Sequence, residues 1–450
     1  MAVIERPRFS CMLGGALATL SFLPGVVPII HGAQGCGGGL FGAYTLGGRL
    51  GTGYCGGTGI PSSNIGEKEI IFGGAERLKT QIENTLDVMK GKLYVVVSAC
   101  MADIIGEDIE GVINQIENKE KASIIYIDTG GFQGKAYDGY DIVFQELFRQ
   151  YIPKREKKKN LVNLFGEVPG YDPYFRGNLE EIKRILGEIG LEVNQFLTPG
   201  ETHENLLSAG SAALNIVLSP VHGIKIVQTA KKTHDIDYLV EPLPVGAIAT
   251  ERFIRKVAER LELDSEKVEK VVKNEKKKYY TYFEQVTDYI TDTDVQSYGI
   301  VIANSTDALS YAEYLENEIG FIPKYIFITD FLSESEKAQV EEAYFKLAFG
   351  EPPELVFEME TKAIERYVTQ RHHFGEADEY VETLYPLIIL GSSIDTQLAN
   401  KLEGDLLPIS YPCYPAVLNK GYAGFRGGNT LFEDILNLQQ KREVKVIVQE

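Results

Sequence analysis

The 450-residue chain has no tryptophan, no Cys-x-x-Cys pair and no Walker A sequence. It is also short of positive charge, with 45 Lys and Arg against 64 Asp and Glu, a formal net charge of −19. A polyanion partner needs a basic footprint, so nucleic acid is excluded as a partner. Five cysteines, an odd number in a long chain, do not form the disulfide framework of a small secreted protein, and reduced thiols in a cytoplasmic protein are expected instead. Without a Walker A loop, the chain is not expected to hold its own nucleotide. Long apolar runs are absent too, apart from one near the start, so no membrane partner is expected. That one run, "CMLGGALATLSFLPGVVPII" after Arg6 and Arg8, has the outline of a signal peptide. Glu5, Pro24, Pro28 and the lack of a small-x-small site closing the run all count against it.

What is present is an α/β pattern. Short β-branched runs recur, each followed by a helical one: "KLYVVVSAC" and "ASIIYID" early, then "NLVNLFGEV", "LEVNQFLTP", "ALNIVLSP" and "DYLVEPLPVG". "YGIVIANST", "KYIFITD", "ELVFEME", "LIILGSS" and "LLPISYP" follow. Continuous apolar strands alternating with amphipathic helices mean parallel sheets buried on both faces. Lysine-rich stretches at 153–160 and 273–297, read as solvated helix faces or linkers, divide the strands into three groups. The expectation is three doubly wound, Rossmann-like domains around a shared cleft, at residues 1–155, 156–290 and 291–450. Ligands in such sheets bind at the carboxyl ends of strands.

Between Gly32 and Gly59 there are thirteen glycines in 28 positions, with Cys36 and Cys55 among them. Glycine loses the most conformational entropy on folding, so this density implies a backbone wrapped closely around something. "GTGYCG" matches GxGxxG but neither follows a strand nor opens a helix, so it is not a dinucleotide fingerprint. Cys100 ends the strand "LYVVVSAC", Cys36 begins the glycine loop, and Cys11 precedes both. One such cysteine would be a small core residue. Three at loop and strand-end positions, one bedded in glycine, point to thiolate ligation of an iron–sulfur cluster, with glycines such as Gly35 and Gly37 admitting backbone N–H groups to the cluster sulfurs. Three thiolates are one short of the usual four. Either Cys55 completes the set or a partner chain does.

These residues carry a resemblance. Cys11, "PIIHGAQGC" with Cys36, "FGG" at Phe72–Gly74, and Cys100 followed by "IGED" resemble the first domain of nitrogenase component 1 proteins, with Glu107 standing where the family has Asp. "LNIVLSPVHG" and "NKGYAGFRGGNTLFEDILN" resemble later segments of the beta-type chains. The resemblance implies that residues around Cys11 are structural, not a signal peptide. It implies that Cys11, Cys36 and Cys100 ligate a cluster, either an eight-iron P-cluster or a four-iron one, at an interface with an alpha-type chain or a second copy. It also implies electron delivery by an ATP-dependent iron protein. The catalytic chain's cofactor-holding cysteine and histidine fall on Ser219 and Lys420, so this chain is not expected to hold such a cofactor alone. A serine that can ligate the P-cluster falls at Gly131, next to the cluster. Three functions share this architecture: an electron-transferring subunit of a nitrogenase or nitrogenase-like reductase, a cofactor-assembly scaffold, and a subunit of a tetrapyrrole reductase.

Other residues carry less. Phe72, on its own, reads as a core residue; the resemblance puts it on the surface where the iron protein docks. His31 is expected to be a structural donor and His222 to line a cleft. His203, His234, His372 and His373 lie in polar segments and are expected to be solvated. Cys413 is expected to pack, and no nucleophile–base pair suggests hydrolysis.

Overall fold

Every strand pairing is parallel, as continuous apolar runs require when helices cover both faces of a sheet. The computed structural model describes residues 8–33, 35–38, 59–116, 122–292, 296–372, 384–416 and 418–449. Most of the glycine-rich segment, with Cys55, and also His373 lie outside the described residues. The first sheet has the order β1-β2-β3, from Val26–His31, Leu93–Ser98 and Ser123–Ile127. The second has the order β5-β4-β6-β7, from β4 Lys158–Phe165, β5 Glu192–Asn194, β6 Ala212–Val217 and β7 Asp237–Val240. The third has the order β10-β9-β8-β11-β12, from β8 Tyr298–Ala303, β9 Ile322–Ile328, β10 Glu354–Phe357, β11 Leu387–Ser392 and β12 Asp405–Ser410.

One strand is unexpected. β1 contains Pro28, which reads as a strand breaker, but it is an outer strand of its sheet among the described residues. Ile30, two residues on and facing the same way, donates its N–H to Pro61 O, away from β2. The missing N–H of Pro28 therefore points away from β2, where a sheet tolerates proline. The apolar run before it forms helix α1, Met12–Phe22, buried from Met12 to Leu20. It is apolar all round because the protein surrounds it.

The remaining helices that position the site are α2 Glu67–Phe72, α3 Ala75–Val88, α4 Cys100–Ile105 and α5 Ala136–Gln150. Beyond them lie α6 Phe175–Glu188, α7 Gly246–Arg260, α8 Ser265–Gln285 and α9 Gly424–Gln449. The lysine-rich stretch from 273 is thus the second half of a helix as far as Gln285, with Val272, Glu275 and Tyr279 buried on one face. α9 leaves the third sheet and packs on α6, α7 and α8. Across the second sheet, buried Asn194, Asn163 and Asn215 form a side-chain ladder, with bonds of 3.0 Å and 2.8 Å.

Two contacts fix the segment around Cys11. α1 and α5 touch backbone to backbone: a β-carbon on Gly15 would lie 1.7 Å from Ala136 O, and one on Gly139 would lie 2.1 Å from Met12 O. The helix starts are then stitched by Met12 N–H to Gly134 O and Ala136 N–H to Ser10 O, both 3.0 Å. On the other side, Arg8 is buried and uses every guanidinium donor on the third sheet's loops. It reaches Met359 O at 3.1 Å, Ser392 Oγ at 2.9 Å, Thr361 Oγ1 at 3.0 Å, and both carboxylate oxygens of Asp395 at 3.0 and 2.6 Å. A Gly15→Ala substitution should cost about 1–3 kcal/mol through overpacking. A lower midpoint in denaturant unfolding checks this; an unchanged midpoint would mean that the helices part freely.

Candidate functional site

Cys11 immediately precedes α1, Cys100 opens α4 just past β2, and Cys36 lies in the short helical stretch 35–38 that follows β1. Gly131, in the loop between β3 and α5, joins the first two. A β-carbon there would lie 3.0 Å from Cys100 Sγ and 3.2 Å from Cys11 Sγ, so both sulfurs crowd the one space that the missing side chain leaves. Burial pushes the Cys36 thiol pKa up, and negative charge on Cys11 and Cys100 adds to the rise. All three are free thiols, with Cys11 exposed and the others half-buried. Among the described residues no three His, Cys, Asp or Glu side chains are grouped to hold a single metal ion. Gly35 meets no described atom where a β-carbon would go, and Gly37 only Ile30 Cδ1 at 3.8 Å, so contacts within the described chain do not demand either glycine.

His31 is buried, with its two ring nitrogens facing different partners. Nε2 donates to Glu107 Oε2, and Ser63 Oγ lies 2.9 Å from Nδ1. Ser63 Oγ also accepts the Gly32 N–H at 3.1 Å. The other Glu107 oxygen accepts the Gly74 N–H. The sequence marks Glu107 only as a departure from Asp. Its partners lie 76 and 33 positions away, too far for a local pattern to reveal.

Gly74 begins α3, directly after the exposed helix α2. None of the residues of α2 is buried, and Phe72 is 82% exposed, which removes the core reading of that side chain. Ile71 is 71% exposed, as is Ile104 on the Cys100 helix, and Phe132 beside Gly131 is 64% exposed. Apolar surface of this kind, on α2, on the Cys100 helix and beside Gly131, is the mark of an interaction face.

The strand ends of the second and third sheets, by contrast, are closed by the chain's own side chains. Ser219 Oγ accepts the Val221 and His222 N–H groups at 3.2 and 3.0 Å and the Thr306 hydroxyl at 2.9 Å. Lys420 pairs with Asp434 and lies over the Tyr422 ring. His222 stacks on Tyr137 at 4.1 Å and bonds Asp330 at 3.0 Å; burial lowers its pKa, but the Asp330 bond and charge outweigh that and raise it. It is buried among these groups, not open to a cleft. Burial pushes Asp141 and Glu167 up to about 7 and raises Asp172 and Asp307 well above the usual carboxylate range, with repulsion from Glu167 adding to the shift of Asp172 and repulsion from Asp172, Glu167 and Asp330 to that of Asp307.

Two histidines expected in solvent are buried. His203 Nδ1 lies 2.8 Å from Pro24 O and its Nε2 2.7 Å from Tyr151 OH; His234 Nε2 lies 3.0 Å from Ile152 O. His203 through both ring nitrogens and His234 through Nε2 tie the end of α5 to neighbouring segments, which their polar sequence surroundings conceal. His372, half-buried, bonds Tyr325 OH at 2.8 Å. Cys413 is buried, and burial pushes its thiol up to about 11.

A family model described as "Nitrogenase component 1 type Oxidoreductase" matches residues 11–440. The nitrogenase molybdenum-iron protein beta chain of Azospirillum brasilense is 25% identical over 291 residues, 57% of this chain and 52% of that one, so the chain spans about half the length of that relative. A light-independent protochlorophyllide reductase polypeptide of Leptolyngbya boryana is 20% identical over 402 residues, 84% of this chain and 73% of that one. A solved structure titled "Nitrogenase Cp1 at pH 6.5" superposes with a TM-score of 0.78 at 17% identity, over 98% of this chain and 94% of that one, which establishes the fold.

Thiol proximity is testable without any metal. Phenylarsine oxide, which bridges neighbouring thiols, should block iodoacetamide labelling of Cys11 and Cys100 together in metal-free protein. Gly131→Ala, which presses a methyl group on both sulfurs, should weaken capture about tenfold, the equivalent of the lower range of overpacking costs. Independent labelling of the two thiols would show that they do not share a space.

Proposed function

This chain belongs to the nitrogenase component 1 type oxidoreductase family, and from that premise we propose that it is a subunit of a nitrogenase-like reductase, accepting electrons from an ATP-dependent iron protein and delivering them to a substrate site. The observation that carries the reading is the meeting of thiols from separate elements around Gly131, a position where a β-carbon would press on two sulfurs. This donor set suits an iron–sulfur cluster, eight-iron or four-iron, held by Cys11, Cys36 and Cys100. Such a cluster, when bound, supplies electron storage at a potential set by burial and by hydrogen bonds to its sulfurs.

The chain's own residues do the rest. Gly131 leaves room, and Gly35 and Gly37 offer backbone close to Cys36. Ile104 and Phe132 give an apolar rim that an alpha-type component 1 chain, or a second copy, covers while completing the ligand set and excluding water. Phe72 stands on the face that the iron protein meets. The committed side chains around Ser219 and Lys420 support a chain that holds no second metal centre of its own. The setting is cytoplasmic, in keeping with the free thiols; among the described residues no helix is long and apolar enough to cross a membrane. Membership of a tetrapyrrole reductase is the second reading, favoured by the protochlorophyllide reductase match, which spans 73% of that relative.

In the anaerobically purified complex, Cys11→Ala, Cys36→Ala and Cys100→Ala should each lose iron and the cluster's electron paramagnetic resonance signal, while Cys55→Ala and Cys413→Ala keep both. Full iron in any of the first three removes that residue from the ligand set. Phe72→Ala should raise the iron-protein concentration for half-maximal electron delivery about tenfold, the loss expected of an aromatic at the centre of an interface, with iron content unchanged. A wild-type concentration dependence would place docking elsewhere.

A further inference from the structure

We propose that Glu107 is a positioning residue that couples the exposed helix ending in Phe72 to the backbone that carries Cys36 and Cys100, an inference that rests on the reading of Phe72 as the docking residue. The geometry has one carboxylate doing two jobs. One oxygen takes the Nε2–H of His31, the last residue of β1, five positions before Cys36. The other takes the N–H of Gly74, two residues after Phe72. Glu107 itself follows α4, whose first residue is Cys100 and whose end is capped by Gly106 in the left-handed region at φ 73°. Glu107, 6% exposed, therefore ties the docking element to the segments that lead into two of the three thiols, beside a more exposed link that runs from Glu69 on α2 through Arg77 to Ser63 O.

The surroundings make this link stiff on one side and pliable on the other. His31 is held from its far side by Ser63, which also binds the Gly32 N–H, and Arg77 Nε on α3 donates to Ser63 O at 2.5 Å. The end of β1, the Ser63 segment, the start of α3 and the Glu107 segment are thus joined by hydrogen bonds into one unit. The connection from Phe72 into that unit runs through Gly73, at φ 88°, and Gly74, where a β-carbon would lie 2.9 Å from Glu107 Oε1. Pressure on α2, which has no buried residue of its own to resist it, is transmitted through Gly74 to the carboxylate. From there it reaches the starts of the Cys36 and Cys100 segments. Coupling of this kind needs a contiguous set of contacts that a bound partner biases.

The test is hydrogen–deuterium exchange of the anaerobic complex, with and without the iron protein held by a non-hydrolysable ATP analogue. In wild type, the iron protein should slow exchange at residues 67–78 and also at 31–33 and 98–107. In Glu107→Gln, whose amide cannot accept both N–H groups, the first protection should persist and the second should vanish. The maximal rate of electron delivery should fall roughly fivefold or more, with the half-saturating iron-protein concentration unchanged, the opposite pattern to Phe72→Ala. Should Glu107→Gln not fold, Glu107→Met, similar in length but unable to accept either N–H, carries the same comparison. Retention of both protections in the variant, or an unchanged plateau, overturns the coupling while leaving Phe72 as the docking residue. Absence of protection at 67–78 in wild type overturns the docking reading, and the coupling with it.

Discussion

Two helices that touch through their backbones decide where the first cysteine can be. Because neither Gly15 nor Gly139 carries a side chain, α1 and α5 close until carbonyl and Cα surfaces meet, and their starting ends are then stitched together. That contact places Cys11 beside the loop of Gly131, and the first sheet brings Cys100 to the same loop from the end of β2. Arg8 locks the approach from the other side: its five donors are all spent on the third sheet's loops, so the segment entering α1 is held at both ends. A buried guanidinium is tolerated only with such complete pairing.

The same architecture is used differently in its three sheets. Strand order reverses between β4 and β6 in the second sheet and between β8 and β11 in the third, and such switch points are where α/β folds bind ligands. Here they are filled from within by Ser219, His222, Asn304, Ser305 and Asp330, with neighbouring carboxyls whose raised pKa values reflect burial. At the strand ends of the first sheet lie partly exposed free thiols, the omitted β-carbon of Gly131 and the exposed ring of Phe132.

Much of this was legible in the residues. The strands of the second and third sheets are apolar runs bounded by turn residues, and all were expected within a few positions. β1 was not, because Pro28 argues against a strand and only the sheet's edge excuses it. α1 is apolar on every face and so looks like a targeting segment as much as a core helix; periodicity cannot separate the two. The lysines from 273 onward mask a helix whose buried face is carried by a few residues, Val272 and Tyr279 among them. The three cysteines stood out by position and by resemblance. His203 and His234 did not, and neither did the bridge from His31 to Glu107, since each depends on a partner brought close only by the fold. The contribution of Cys55 lies outside the described residues.

We propose that Cys11, Cys36 and Cys100 hold an iron–sulfur cluster shared with a partner chain. Anomalous diffraction at the iron edge, on crystals of the anaerobic complex, tests it most directly. Iron should lie within bonding distance, about 2.3 Å for a metal–thiolate bond, of all three sulfurs, with the remaining ligands coming from the partner. Iron bound elsewhere, or a complex in which these three sulfurs have no metal neighbour, would contradict it.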